Sequence, residues 1–404
     1  MTQLIDGGIV IIGGGQAGGW AAKTLRDEGY QGILSVISDE PHDFYERPPL
    51  SKAALKQEGT PLSRLFSEDE TDSLNLTWYR PVRATHIDAN KKQVQLSDGR
   101  HLAFDKLLIA TGGRPRFLSS AWQSHPRVFA LRTWDDGQRL REALLSAKKM
   151  AIIGGGWIGL EVAASARQMG IDVTVFERQE RLCQRSVPAS VSNALAQRHQ
   201  QAGVEIITDC GEILLDESHD DLRISCAKQP SQSFDLAVMG IGVELNLELA
   251  ATAGLEVTHG IVINGQGQTS HPDIYAAGDV ACHPTLSLCL QSWAYAQNQA
   301  ITTAKAMLNA HSEDFNDPAW LWSDQYQDNI QILGIPTPLA TQHIQRITPN
   351  AEVHFSLNDD NELVQMVAFN DPRSIKLGKR WMQNSRKLSP SELADPNFSL
   401  MSLK

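Results

Sequence analysis

Gly13, Gly15 and Gly18 repeat the spacing of Gly154, Gly156 and Gly159, so one chain carries two G-x-G-x-x-G runs. Such a run suits the holding of a pyrophosphate: its first glycine allows a tight turn, its second lets backbone approach the phosphates, and its third brings a helix against a strand. The N–H groups at the helix start then face the anion, with the positive end of the helix dipole behind them. A carboxylate completes the arrangement by accepting from the ribose hydroxyls of an adenosine. Glu177 stands 23 residues past Gly154 and Asp39 stands 26 past Gly13. Glycine turns also serve as plain connectors, so each run needs the right elements around it.

Both runs have those elements. Ile9-Val10-Ile11-Ile12 and Met150-Ala151-Ile152-Ile153 are apolar and rich in β-branched residues, which reads as buried parallel strand. Trp20-Ala21-Ala22-Lys23-Thr24-Leu25 and Val162-Ala163-Ala164-Ser165-Ala166-Arg167 follow the glycines as helices packed on those strands. A further strand precedes each acid, Ile33-Leu34-Ser35-Val36-Ile37 before Asp39 and Asp172-Val173-Thr174-Val175-Phe176 before Glu177. Two complete fingerprints imply two dinucleotides. A 2′-phosphate would meet the Glu177 carboxylate, so the second site favours a dinucleotide with a free 2′-hydroxyl, a preference that the adjacent Arg178 tempers.

At 404 residues the chain exceeds a single core and fits two or three domains. Hydrophobic and charged fractions of 42% and 21% are those of an ordinary globular protein. A net charge of −11 argues against non-specific nucleic-acid binding and against an anionic membrane surface. The apolar stretch near the N-terminus is interrupted by glycines and lacks the marks of a signal peptide, so a cytoplasmic location is expected. Cys183, Cys210, Cys226, Cys282 and Cys289 form no CxxC or CxxxxC pair and read as reduced structural thiols. The twelve histidines show no ligand spacing, and no metal is expected.

Between the fingerprints, the Pro48-Pro49 pair fixes an extended turn, with Ser51 placed to cap a helix beginning at Lys52. The helix dipole does not favour a lysine there, so Lys52 either stands in solvent or answers to another partner. Residues 60–73 read as polar loop. An apolar strand over 104–110 runs into Thr111-Gly112-Gly113-Arg114-Pro115, where backbone can approach a ligand and Arg114-Pro115 marks a boundary. Later, Ile274-Tyr275-Ala276-Ala277 ends in Gly278-Asp279 ahead of a helix over 293–308, and Asp279 there suits either a ribityl hydroxyl or a helix cap. Beyond Asp317-Pro318, the run Trp320-Leu321-Trp322-Ser323-Asp324-Gln325-Tyr326 opens a tail of short strands, a third and smaller α+β domain.

Several of these segments occur together in one family. They are Gly13 to Gly18, Glu46-Arg47-Pro48-Pro49-Leu50-Ser51-Lys52, Ser97-Asp98-Gly99-Arg100, Ala110-Thr111-Gly112-Gly113-Arg114-Pro115-Arg116, Gly154 to Glu161, Ala276-Ala277-Gly278-Asp279-Val280 and Trp322-Ser323-Asp324-Gln325-Tyr326. Over nearly its whole length the chain resembles the FAD-dependent NADH:ferredoxin reductase components of bacterial aromatic-ring-hydroxylating dioxygenases. The likeness is strongest to the phenylpropionate and biphenyl dioxygenase type, with putidaredoxin reductase a relative.

The resemblance implies an α/β fold: two Rossmann-like dinucleotide-binding domains of the glutathione-reductase-like type and a small C-terminal α+β domain. The FAD domain would span 1–114 and 238–317, the NADH domain 115–237 and the C-terminal domain 318–404. For FAD, the resemblance implies Gly13, Gly15, Ala17 and Gly18 at the pyrophosphate, Asp39 at the adenosine ribose and the Val82 backbone at the adenine. It further implies Lys52 beside the isoalloxazine, Thr111, Arg132 and Trp293 around it, and Asp279 on the ribityl chain. For NADH it implies Gly154, Gly156, Ile158 and Gly159 at the pyrophosphate, Glu177 at the ribose, and Arg185 and Gly242 nearby. Lys52 and Glu161 would form the catalytic pair, an ion pair that rearranges as the nicotinamide stacks, and Trp322 would serve electron transfer to the partner. One departure is Gln291 before Ser292-Trp293, where the family carries a glutamate.

On this reading a hydride passes from nicotinamide to flavin, and the electrons leave singly to a [2Fe-2S] ferredoxin that feeds a Rieske oxygenase. Two rivals differ in kind. An NADH oxidase or peroxidase needs a redox cysteine near the flavin, and residues 30–60 contain none. A non-catalytic flavoprotein scaffold would be expected to carry basic localisation runs, and none is visible.

Overall fold

The computed structural model describes residues 4–5, 7–216, 221–283, 285–308 and 313–403. The chain forms two compact units. One comprises Met1–Arg47, Leu62–Arg114 and Val243–Asp317, the other Pro48–Pro61, Pro115–Gly242 and Pro318–Lys404.

The first unit is built on a five-stranded parallel sheet in the order Ile274–Ala276, Lys106–Ile109, Ile9–Ile12, Leu34–Ile37, Thr77–Tyr79. All four residues of the central strand are buried, because the sheet is covered on both faces. Val10 and Ile12 pack with Leu107, Ile109 and Val280 on one side. Ile9 and Ile11 pack with Ala21, Ala22 and Leu25 of the helix Gln16–Asp27 on the other. That helix lies along a second, Trp293–Met307, whose Ala296, Ala300 and Ala304 belong to the same core and allow close approach. A smaller sheet, Leu4–Ile5, His101–Ala103, Gln93–Leu96 and Ala84–Asp88, completes the unit. One expectation fails here: within 60–73 the residues Glu68–Ser73 are helical, started by a capping box in which Ser67 and Glu70 satisfy each other's backbone N–H.

The second unit repeats the plan with the order Val128–Ala130, Leu236–Met239, Lys149–Ile153, Asp172–Phe176, Glu205–Ile207, again all parallel. The helix Trp157–Gln168 covers one face, and Ala189–Gln201 leads into the edge strand. A small antiparallel sheet, Ile213–Asp216, Leu222–Cys226 and Gln229–Phe234, packs through Ile213, Leu222 and Ile224 on the opposite face. The C-terminal segment is an antiparallel sheet ordered Trp320–Gln325, Asp328–Gly334, Leu363–Phe369, Ala351–Leu357, Gln342–Thr348. Ile330, Ile332, Val367 and Phe369 join the core of the parallel sheet, while Leu333, Phe355 and Met366 pack under Ile375, Leu377 and Trp381 of the helix Pro372–Gln383.

Two boundaries differ from the expected ones. A division after 237 would cut the strand Leu236–Met239, which pairs with Met150 through Ile153 along its whole length, so the second unit continues to Gly242. The segment Pro48–Pro61, with Lys52 in it, belongs to the second unit instead of the first. No helix among the described residues is long and apolar enough to cross a membrane.

Candidate active site

In the first unit, Gly13 takes φ +128°, and a Cβ there would stand 2.1 Å from the Ala110 carbonyl oxygen. A Cβ on Gly18 would stand 2.0 Å from the Gly13 carbonyl oxygen, so this glycine sets how closely helix and turn approach. Around Gly15 the space is open except for the Arg47 guanidinium, 3.8 Å from where a Cβ would be. Glu40 holds that guanidinium at 2.8 Å, and it lies over the Tyr45 ring. Burial works to lower the Arg47 pKa, but Tyr45, Glu40 and Asp279 more than offset it and the cation persists. The helix begins at Gly15 with no side-chain cap and no acid in its first turn. Asp279 sits in the turn Gly278–Val280. A Cβ on Gly278 would come within 2.9 Å of Ala17 Cβ, which puts this turn beside the start of the helix. Bare N–H groups, a cation and glycine-lined space fit a pyrophosphate.

The remaining first-unit residues serve local contacts as well. Asp39 is exposed and pairs with Arg83 at 3.1 Å. The Val82 N–H donates to the Ser38 carbonyl at 2.8 Å, so an adenine edge would meet the Val82 carbonyl. Thr111 and Asn246 bond reciprocally, Oγ1 to the Asn246 carbonyl at 3.0 Å and Asn246 Nδ2 to the Thr111 carbonyl at 2.9 Å. Trp293 opens its helix behind the Ser292 cap. Arg132 falls in the second unit, beside the capping box of Thr133 and Asp136.

In the second unit the turn faces a cavity of 1010 Å³, lined by Gly154, Gly155, Gly156, Glu177, Arg178 and Arg185 among others. Gly154 has φ +104°, and a Cβ on Gly159 would stand 2.3 Å from the Gly154 carbonyl oxygen. Glu177 follows the strand directly and accepts from two backbone N–H groups, Gly155 at 2.6 Å and Gln179 at 2.7 Å. Gly242, at φ +98°, lies 3.9 Å from Arg185 Nη2 measured from an added Cβ, so these two are neighbours. Ile158 stands exposed in the first turn of a helix that again begins at a bare glycine. A roomy cavity bounded by this turn and a placed carboxylate fits the adenylate half of a nicotinamide dinucleotide.

Lys52 and Glu161 do meet. Nζ lies 2.8 Å from Oε2, with the lysine side chain 19% exposed and the glutamate 3%. Ser51 does not cap a helix: the chain forms the short turn Pro48–Ser51 and then Ala53–Lys56, and the Ser51 hydroxyl donates to Glu161 Oε2. Ser323 Oγ donates to the other oxygen, Oε1, at 2.6 Å. A carboxylate removed from water thus has a cation and two hydroxyls, without which its burial would be costly.

Sequence reasoning quoted Arg47, Ser323 and Gln325 inside motifs without giving them a role, and gave Ser51 a different one. The alternation of the strand Trp320–Gln325 carries the missing signal, since Ser323 and Gln325 fall on its buried positions and Asp324 on its exposed one. Trp322 stacks on Trp320 at 5.5 Å. All five cysteines are unpaired, and burial pushes the Cys183 thiol well up and Cys289 up to about 12. Among the described residues there is no cluster of three or more candidate metal ligands.

The model of the pyridine nucleotide-disulphide oxidoreductase family matches residues 7–300, and that of the reductase C-terminal domain matches residues 320–404. The chain is 35% identical to the ferredoxin–NAD(+) reductase component of the p-cumate 2,3-dioxygenase system of Pseudomonas putida, over 97% of each chain. Among solved structures it is similar to the ferredoxin reductase of the CYP199A2 system from Rhodopseudomonas palustris, with a TM-score of 0.91, 31% identity and 98% and 99% of the two chains covered. It is equally similar to the reductase in the covalent putidaredoxin reductase–putidaredoxin complex, with a TM-score of 0.91, 32% identity and 98% of each chain covered. Two glycine turns on twin parallel sheets and a C-terminal sheet within the second matched segment agree with these likenesses, and the chain belongs to the pyridine nucleotide-disulphide oxidoreductase family.

Proposed function

We propose that this protein carries electrons from NADH to a [2Fe-2S] ferredoxin that serves an aromatic-ring dioxygenase or related oxygenase. The observation that carries the reading is full-length similarity to a dioxygenase-system ferredoxin reductase in a chain that holds two dinucleotide turns and the buried Lys52–Glu161 pair. FAD and NAD(H) are its cofactors. FAD supplies the change from paired to single electrons, accepting a hydride and releasing electrons one at a time.

The chain's own residues bind, orient and balance charge. In the FAD domain, Gly13, Gly15, Ala17 and Gly18 offer backbone to the pyrophosphate and Arg47 neutralises it. Asp39 takes the adenosine ribose, the Val82 backbone meets the adenine, and Asp279 holds the ribityl chain. Thr111 and Trp293 of the same unit line the isoalloxazine. In the NADH domain, Gly154, Gly156, Ile158 and Gly159 receive the pyrophosphate, Glu177 the ribose, and Arg185 and Gly242 close the far side. Glu161, held by Lys52, faces the nicotinamide and fixes its approach, which is where orientation contributes most to hydride transfer. Trp322 forms part of the ferredoxin contact, and the protein works in the cytoplasm.

An oxidase reading would need a reactive thiol, and the buried thiol of Cys183 and the half-buried thiol of Cys289, both raised by desolvation, do not support one. The test is NADH-dependent cytochrome c reduction by the purified yellow protein, with and without added [2Fe-2S] ferredoxin. Strong, saturable dependence on ferredoxin is expected. Peroxide-dependent turnover, NADH oxidation indifferent to ferredoxin, or a colourless protein that refuses FAD would overturn the proposal.

A further inference from the structure

Gln325, His199 and Tyr326 have no part in the reading above, yet they continue the contact that Ser323 makes with Glu161. Gln325 Nε2 donates to Ser323 Oγ at 3.0 Å. His199 Nε2 lies 2.8 Å from Gln325 Oε1, and Tyr326 Oη lies 2.8 Å from His199 Nδ1. Ser323 and His199 are fully buried and Gln325 nearly so. Hydrogen bookkeeping gives the chain one direction. An ionised Glu161 can only accept, so Ser323 donates to it and must accept from Gln325; this orients the Gln325 amide with its oxygen toward His199. His199 therefore donates from Nε2, and its Nδ1 accepts from the Tyr326 hydroxyl. Burial pushes His199 down to about 4, which keeps the ring in the neutral form this tautomer needs. Arg198, next to His199 in the chain, is already paired with Asp328 and Glu352, and Arg167 acts on Tyr326.

We propose that the run Tyr326, His199, Gln325, Ser323 is a positioning device for Glu161: it donates into Oε1 while Lys52 and Ser51 hold Oε2, so both oxygens of the carboxylate are fixed. An amide in the middle does not relay protons, so the chain orients the carboxylate and conducts nothing. Such outer supports commonly set the geometry of the group they touch. Ser323, Gln325 and His199 are then positioning residues for flavin reduction. The proposal rests on the reading that Glu161 faces the nicotinamide.

Two measurements test it. In anaerobic stopped flow, Ser323→Ala should slow flavin reduction by NADH about 10-fold with little change in NADH affinity, and Ser323→Thr, which keeps the hydroxyl, should restore most of the rate. In a Glu161→Gln background the same Ser323→Ala change should add less than about twofold, because the two residues act as one unit. If Ser323→Ala slows the Glu161→Gln protein as much as the wild type, the positioning role is overturned and the reading of Glu161 survives. If Glu161→Gln alone reduces at the wild-type rate, the reading of Glu161 falls, and the proposal with it. The second measurement needs no folded variant. In ¹⁵N NMR of the wild-type holoprotein, His199 should appear as the Nε2–H tautomer, unchanged between about pH 5.5 and 8. The Nδ1–H tautomer, or titration within that range, would reverse the donor direction and overturn the proposal.

Discussion

The two glycine turns are built alike down to their supports and differ in what they do with charge. Each follows a wholly buried strand end and opens a twelve-residue helix, Gln16–Asp27 in one unit and Trp157–Gln168 in the other. Each helix carries an arginine ten positions past its first residue that ties down the return loop: Arg26 donates to the Tyr30, Gly32 and Leu74 carbonyls, and Arg167 to those of Ile171 and Ala202. The residue directly after the next strand also takes the same backbone bond in each, Ser38 N–H to Tyr79 and Glu177 N–H to Ile207. At that shared position one unit has a hydroxyl and the other a carboxylate. The first turn instead has a guanidinium, Arg47, next to its middle glycine-lined space. The lesson is that a common scaffold can be tuned by one side chain on each side of the phosphate: a cation where the cofactor should stay, a hydrogen-bonded anion where it should exchange and be told from its phosphorylated relative.

The largest effect that would break this contrast is on FAD retention. Arg47→Ala removes the cation beside the first turn, and FAD affinity should fall by about 100-fold, or ~2.7 kcal/mol, as for loss of a charge-assisted phosphate contact. The flavin-to-protein absorbance ratio after dialysis checks it; a variant that keeps its colour would show that Arg47 serves only Glu40 and Tyr45. The next effect belongs to the second turn. Glu177→Gln keeps the shape but leaves one of the Gly155 and Gln179 N–H groups facing an amide NH₂, at a cost of about 2 kcal/mol. The KM for NADH should rise by about 30-fold and discrimination against NADPH should shrink, with FAD retained throughout. Steady-state kinetics with both nucleotides checks it, and unchanged discrimination would count against Glu177 as the selector.

These sites were legible to different depths in the sequence, for physical reasons. Buried parallel strands announce themselves as unbroken apolar runs, and the glycine turns by spacing, so the central strands of both sheets were readable while the edge strands Thr77–Tyr79 and Val128–Ala130 were too short to be. The helix Glu68–Ser73 was not, because it buries none of its residues and only the Ser67–Glu70 capping box betrays it. The Lys52–Glu161 pair came from family resemblance, since no local pattern links residues 109 apart in the chain. His199 gave no signal at all: its partners Gln325 and Tyr326, the last residue of a strand and the first of the turn after it, are brought to its helix by folding alone. The two units differ in one register: Ile12 pairs with Ile37 where Ile153 pairs with Phe176, so the positional counterpart of Glu177 is Ser38, 25 residues past Gly13, and Asp39 is one step beyond it.

That single step makes the smallest prediction the sharpest. Ser38 N–H and the strand ladder place its hydroxyl against the turn, where it accepts from Glu40 N–H at 3.2 Å and would lie 2.6 Å from a Cβ on Gly14. Asp39 is more than half exposed, and its pair with Arg83 is the kind of surface bridge worth about 0–1 kcal/mol. An asparagine can still accept from a ribose hydroxyl, so Asp39→Asn should weaken FAD binding by less than about threefold and leave folding untouched. Fluorescence titration of apoprotein with FAD measures it directly. Should Asp39→Asn instead cost as much as Glu177→Gln costs for NADH, the two acids would be doing the same work from different positions, and the contrast between a cation-held and an anion-selected nucleotide would have to give way to two equivalent ribose clamps.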